Sequence, residues 1–295
     1  MTEQIIEKKT RVKKRSQFKS MWFRYKKNKL AIFGLILFTA MVLVSVFADF
    51  IVDYDAGALT QNIKNKLMSP CAEHIFGTDQ YGRDLFARII FAARISLFVG
   101  LFTVGISLTA GSIIGAVAGY YGGKVDNILM RIMDVFLSIP SIIMAIVIVA
   151  ALGQGITNLL IALSISKTPQ FARIVRSSIL PIKGQEFIEA AKACGTKDTR
   201  IIVRHIIPNV IGPIIVHATL NMATTILGIA GLSFLGLGIQ PPTPEWGSML
   251  ADARSQMRYY PYLVIIPGIA IVMSVLSLNL IGDGLRDALD PRLKN

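Results

Sequence analysis

The chain reads as an all-α integral membrane protein with six transmembrane helices and both termini in the cytoplasm. Three observations predict this. Only 17% of its 295 residues are charged and 53% are hydrophobic, whereas a soluble domain carries about 25% charged residues. Mean hydropathy is +0.57, and long runs without a charge recur along the chain. The basic residues flank those runs instead of covering a surface: 11 of 31 Lys/Arg lie in residues 1–29 and eight in 167–204. Such clusters are topology signals, so the net charge of +13 points to the inner face of a membrane and not to nucleic acid.

Residues 1–29 form a basic cytoplasmic tail. The first span occupies 30–51, where the run from Leu30 to Ala48 carries no charge and is long enough for one crossing. Val46-Phe47-Ala48 has the small-residue look of a signal-peptide cleavage site. The basic region before it and the apolar run are both too long for that, so the span reads as an anchor. Residues 52–94 make the one sizeable external loop, with a short helix. Residues 95–284 hold the other five helices and 285–295 a second cytoplasmic tail. Within them, Ile95 to Gly123 and Tyr259 to Gly282 are uncharged throughout, and a further span falls at roughly 210–236.

Val135 to Ser166 decides the count. As one continuous helix it would be about 48 Å long, too long for one crossing of about 30 Å and short for two. Gly153-Gln154-Gly155 breaks it near the middle, as a turn does. With two spans here, 24 Lys/Arg lie inside and seven outside; with one, the later segments flip and the split becomes 15 to 16. The positive-inside rule selects six spans, the fourth borrowing Lys167 to about Ala172.

The segment 167–209 carries the most specific pattern. Gln185 to Cys194 reads as a short helix, and Gly195 can supply the left-handed residue that stops it. Thr196 or Asp198 can cap a second helix, and Pro208 starts or kinks the next span. Small residues at Ala190, Ala191 and Ala193 give the first helix a low relief that another protein's groove can accept. Glu189-Ala190-Ala191, Gly195 four residues later and Pro208 thirteen beyond that resemble the cytoplasmic "EAA" loop of bacterial ABC importer permeases. Where the general pattern has Ile, this chain has His205. Its His205-x-x-Pro208-Asn209 form resembles the peptide-permease branch.

The resemblance extends over most of the chain. His74 to Asp84, Ala93 to Leu97, Gly122 to Asp126 and Leu129 to Arg131 are similar to the smaller permease of dipeptide and oligopeptide importers. So are Ser233 to Gly238, Pro241 to Gly247, and Gly282 to Asp287 with Asp290-Pro291. Nickel and glutathione importers share most of these motifs. The resemblance implies the ABC importer type-1 permease fold in a bacterial-type cytoplasmic (inner) membrane. It implies a non-catalytic subunit of an ATP-driven importer for di- or oligopeptides, with nickel or glutathione as alternative cargo. It also implies four partners besides the lipid bilayer: a second homologous permease, two ABC ATPases and an external substrate-binding protein. ATP and Mg would bind the ATPases, with no cofactor or metal in this chain. Glu189, Ala190, Ala191, Gly195 and Pro208 would be the coupling residues.

Further positions carry two readings each. Asp79, Arg83, Asp84 and Arg88 fall at helical spacing just outside the membrane and are expected to pair as Asp79–Arg83 and Asp84–Arg88. They form either a self-stabilised surface helix or, with Trp246, a docking platform for the binding protein. Pro241 to Trp246 is an external gate, a docking loop or a connector. His217, Asn221 and Thr224 share one face of span five, where polar groups face protein or water. They either line a substrate path or bond between helices. Gly111, Gly115 and Gly119 line one face of span two and invite a close helix. Asp134 is expected to pair with Arg131.

Other classes fit poorly. No Gly-x-x-x-x-Gly-Lys-Ser/Thr phosphate loop is present, and no His-Glu-x-x-His or Gly-x-Ser-x-Gly. Ser164-x-x-Lys167 matches an acyl-enzyme serine motif by letters only. An ion-coupled carrier needs membrane-embedded carboxylates, whereas Asp49, Asp134 and Asp283 sit near span ends. Cys71 and Cys194 fall on opposite sides of the membrane and cannot pair.

Overall fold

The structure, a computed structural model, describes residues 17–289. Positions 1–16 of the basic tail, and Asp290-Pro291 with the rest of the C-terminal tail, lie outside the described residues.

Every named element is helical. A short helix, α1 (Gln17–Tyr25), leads into α2 (Lys29–Val46), whose first turn is capped by Asn28 accepting from the Ala31 N–H. One turn, α3 (Ala48–Ile51), follows. The external segment then holds a π turn at Tyr54–Leu59 and a 3-10 turn at Ile63–Asn65. The long helix α4 (Leu85–Tyr121) starts where Asp84 accepts from the Ala87 N–H at 2.9 Å. It thus begins ten residues before the expected second span, inside the stretch read as external loop.

The Val135–Ser166 region departs from expectation at its start. An amphipathic helix, α5 (Gly123–Leu137), and an apolar one, α6 (Ser141–Leu152), meet at a bend of 84°. Pro140 forces the break, because it lacks an N–H and pushes Ile139 out of helical geometry. The glycine turn is where expected: Gly153 and Gly155 both have positive φ, and α7 (Ile156–Lys183) follows. After it come α8 (Glu186–Ala193), α9 (Asp198–Ile201), a π turn at Ile202–Ile206, α10 (Ile207–Phe234), α11 (Trp246–Ala253) and α12 (Tyr262–Leu289).

Among the described residues, four stretches are long and apolar enough to cross a membrane: α2, α4, the run from α9 through α10, and α12. The bent α5–α6 pair makes a fifth. The glycine face of α4 decides how they pack. Gly111 faces Phe171, Gly115 faces Ala172 and Val175, and Gly119 faces Ile179, all on α7. A Cβ at Gly111 or Gly115 would collide and one at Gly119 would crowd Ile179 at 3.1 Å, so the two backbones approach closely. The register rises on both helices together, so α4 and α7 run parallel, and the α5–α6 pair returns between their ends. Helices α2 and α12 run antiparallel, with Gly34 against Ser277 and Leu280, and Gly284 against Ala31. One end of the bundle gathers the start of α2, the ends of α4, α7 and α12, and the α8–α9 hairpin. Here Asn28 donates to Asp287 at 3.2 Å, and the Tyr120 hydroxyl donates to Asp198 at 2.6 Å. The opposite end holds the external segments.

Candidate functional site

Helix α8 has one fully buried residue. Ile188 is fully buried, packed with Val175 and Ile179 of α7, Ala116 and Tyr120 of α4, and Ile206, Val210 and Ile214 at the start of α10. Glu189, Ala190 and Gly195 are exposed, and Ala191 is half-buried. The helix ends as its sequence demands. Gly195 has φ +71°, the Thr196 N–H donates to Ala191 O and the Gly195 N–H to Lys192 O. This is the paired-bond stop that favours glycine. Neither Thr196 nor Asp198 caps α9: Lys197 holds that position without a side-chain bond, and Asp198 is engaged by Tyr120. Pro208 lies in the first turn of α10. It has no N–H for Arg204 O, and the preceding residues widen into the π turn, where Ile207 N–H reaches Ile202 O. Ile188, with Ala191 at the edge of the same cluster and Lys192 Nζ 5.2 Å over the Tyr120 ring, joins α8 to the place where three long helices meet. Sequence reasoning missed Ile188; its apolar character beside Glu189 was the available signal.

Midway along the bundle, His217, Asn221 and Thr224 do come together. Asn221 Nδ2 lies 2.8 Å from His217 Nε2, and Thr224 Oγ1 donates to Asn221 O at 3.0 Å. These bonds stay within α10. The bond between helices comes from a residue outside the expected set: Lys167 Nζ of α7 donates to Thr224 Oγ1 at 2.9 Å. Phe171 of α7 stacks edge-on against the His217 ring at 5.1 Å. Nearer the end that carries α8, Arg176 makes two bonds to Asp126, at 2.5 and 2.6 Å, and Arg173 meets Asp134 at 2.7 Å. The expected Arg131–Asp134 pair is replaced by Arg173–Asp134, because the bend at Pro140 brings α5 alongside α7.

At the external end the expected surface helix is absent. Residues 79–84 form a turn. Asp79 and Arg83 pair at 2.6 Å as expected, but both are buried, with Arg83 2% exposed. Asp84 does not pair with Arg88. It bonds His74 Nδ1 at 2.7 Å and caps α4. Arg88 instead reaches Asp79 at 3.5 Å and donates to Ala58 O at 3.0 Å. Asp252 of α11 completes the cluster at 3.4 Å from Arg83, and burial pushes its carboxyl above the ordinary range against the pull of the two arginines. Trp246 is 1% exposed and donates through Nε1 to Ile89 O at 3.2 Å. Asp79, Arg83 and Trp246 thus face the protein's own interior, and Asp84 stays partly exposed beside His74. Glu245 is buried too, accepting from the Ser248 N–H at 2.9 Å, and its burial raises its carboxyl above the ordinary value. Pro241 to Trp246 therefore connects α10 to α11 while holding the start of α4. Cys71 and Cys194 are both free and exposed, at opposite ends of the bundle.

A family model described as the binding-protein-dependent transport system inner membrane component matches residues 111–295. A second, the N-terminal TM domain of oligopeptide transport permease C, matches residues 16–70. The chain therefore belongs to the family of binding-protein-dependent transport permeases, multi-pass proteins of the inner membrane. Among its relatives, the dipeptide transport system permease protein DppC of Alkalihalophilus pseudofirmus is 49% identical over 280 residues, spanning 95% of this chain and 91% of that one. The glutathione transport system permease protein GsiD of Escherichia coli is 44% identical over 282 residues, spanning 95% and 92%. An inward-facing structure of the MetNI methionine ABC transporter shares the fold. Its TM-score is 0.52 at 20% identity, and the match covers 66% of this chain and 92% of that one.

Proposed function

We propose that this chain is one of two permease subunits in an ATP-driven importer of di- or oligopeptides, with glutathione as the close alternative. The dipeptide and glutathione permeases that resemble it over 95% of its length support the substrate class. The chain transduces force; two ATPase subunits, which bind ATP and Mg, do the chemistry. An external binding protein delivers the solute, and the second permease supplies the other half of the path.

The observation that carries the reading is α8: exposed at Glu189 and Ala190, stopped by Gly195, and seated through Ile188 where α4, α7 and α10 converge. Closure of an ATPase dimer against this helix would tilt those three helices together. Six crossings follow if α7 is a span, as its parallel course beside α4 supports, and if α5–α6 crosses as a bent pair. Both termini and α8 then lie in the cytoplasm, with a tail at 1–29, the external loop at 52–94, the five-helix unit at 95–284 and a second tail at 285–295.

Impermeant thiol reagents test this arrangement in sealed cells and inverted vesicles. Cys194 should react from the cytoplasmic side alone, less so with the ATPases bound, and Cys71 from outside alone. Reaction of both from one face would sink the six-crossing topology. Protection of Cys194 that does not depend on the ATPases would sink the docking role of α8.

A further inference from the structure

Lys167 carries a charge that the coupling machinery does not use. It lies eleven residues into α7, about 17 Å from that helix's external end and so near the middle of a crossing of about 30 Å. Its partner Thr224 lies at the matching depth, ten residues before the external end of α10. The ammonium has three N–H donors, and Thr224 Oγ1 takes one. Among the described residues no carboxylate forms an ion pair with it. The arginines further along α7 differ: Arg173 and Arg176 are both matched to aspartates.

The surroundings give the ammonium room and a few polar neighbours. Lys167 borders a cavity of about 300 Å³ between α6, α7 and α10, lined by the hydroxyls of Ser141, Ser166 and Thr224 and by the apolar Ile142, Leu163 and Leu227, where Gly228 leaves room. A hollow of about 670 Å³ on α4, among Leu101, Phe102, Ile106 and Ile113, has one hydroxyl, Thr109, and no charge. That hollow suits lipid or a packed helix. A lysine at mid-depth facing lipid would be costly, so it faces water or an anion.

Resting on the peptide reading, we infer that Lys167 is the carboxylate-binding station of the translocation path. Its two remaining donors take the C-terminal carboxylate of a peptide as it passes between α6, α7 and α10. Thr224 holds the ammonium in place, and the hydroxyl of Ser141 replaces lost water, while Ser166 gives its O–H to Ala162 O at 2.7 Å. An ammonium accepts no hydrogen bond and repels cations, so the same residue selects against a divalent metal ion as cargo.

The test uses the assembled transporter in proteoliposomes, with Cys71→Ser and Cys194→Ser as background and dialanine as probe. Lys167→Cys should lower ATP-driven uptake about tenfold or more, as expected for one lost charge-assisted hydrogen bond. Aminoethyl methanethiosulfonate, which restores a positive charge at the introduced thiol, should recover most of the rate. The neutral methyl reagent should not, and the sulfonatoethyl reagent should lower it further. These three adducts share one folded protein, so folding does not enter the comparison. Equal rates for all three, uptake by Lys167→Cys at the wild-type rate, or a thiol that no reagent reaches would each overturn the inference. So would failure of both Lys167→Cys and Lys167→Arg to assemble, which would make the lysine a folding element. A wild-type complex that hydrolyses ATP but carries no dialanine would instead sink the peptide reading, and this inference with it.

Discussion

The two ends of the bundle hold charge in opposite ways. At the end that carries α11, Asp79, Arg83 and Arg88 are buried against Asp252, a residue 169 positions from Arg83. At the end that carries α8, Glu186, Glu189 and Lys192 ride on a single eight-residue helix and stay largely exposed. A buried ion pair cannot lose one partner cheaply, because the survivor is stranded out of water. Exposed charges contribute little to stability. The external cluster is therefore a clasp that holds the turn at 79–84, the start of α4 and α11 in one arrangement. Helix α8 leaves its charged and small side chains exposed.

The contrast breaks most readily at the clasp. Arg83→Ala leaves Asp79 and Asp252 without their strongest partner, and should destabilise the chain by about 3–5 kcal/mol. The expected signs are low yield and a lowered thermal midpoint in detergent, with transport lost because folded protein is lost. A stable Arg83→Ala protein would show that the cluster is not structural.

At the other end the effect should fall on function. Gly195→Val puts a Cβ at φ +71°, a local penalty of about 1–2 kcal/mol, with nothing within 4 Å for the side chain to strike. The protein should insert and assemble, its thermal midpoint nearly unchanged, while ATP-driven uptake is abolished. Uptake at the wild-type rate would remove α8 from the coupling role.

The smallest effect concerns Glu245. Burial holds its carboxyl above the ordinary 4.5, so the folded chain keeps a proton that the unfolded chain has released. Stability is therefore unaffected below about pH 4.5 and falls as pH rises from there through the folded-state value, beyond which the penalty is constant. Glu245→Gln should flatten that slope in thermal melts across pH 4–8. The remaining cap bond, Ser248 Oγ–H to Glu245 O at 2.8 Å, does not depend on ionisation. An unchanged slope would show that the carboxyl is not the group being titrated.

Local features were legible in the amino-acid order. The stop at Gly195, the glycine turn at 153–155 and the Asp79–Arg83 pair each depend on neighbours a few residues apart, and the family resemblance rested on such short motifs. Periodicity misread the external turn as a helix. Spacing of four fits a helix face, but burial against α11, far along the chain, outweighed it. The uncharged run from Val135 gave no sign of the bend at Pro140, which makes the third candidate span a bent pair, α5 and α6, and not one helix. Lys167 was counted among the basic residues that flank the apolar runs, because a lysine usually marks a span end. The borrowing of residues to Ala172 already implied that it lay inside.

Composition and the uncharged runs alone determined that the chain is helical, apolar and membrane-spanning, since these follow from what each residue loses on leaving water. Only tertiary structure decided which polar side chains meet. The glycine face of α4 draws α7 alongside in parallel, and that packing carries Arg176 to Asp126. Lys167 meets Thr224 only because α7 also lies against α10. Helices associating in a membrane gain little from burying apolar side chains, so close backbone approach and a few polar bonds choose the partners. That choice depends on residues far apart in the chain.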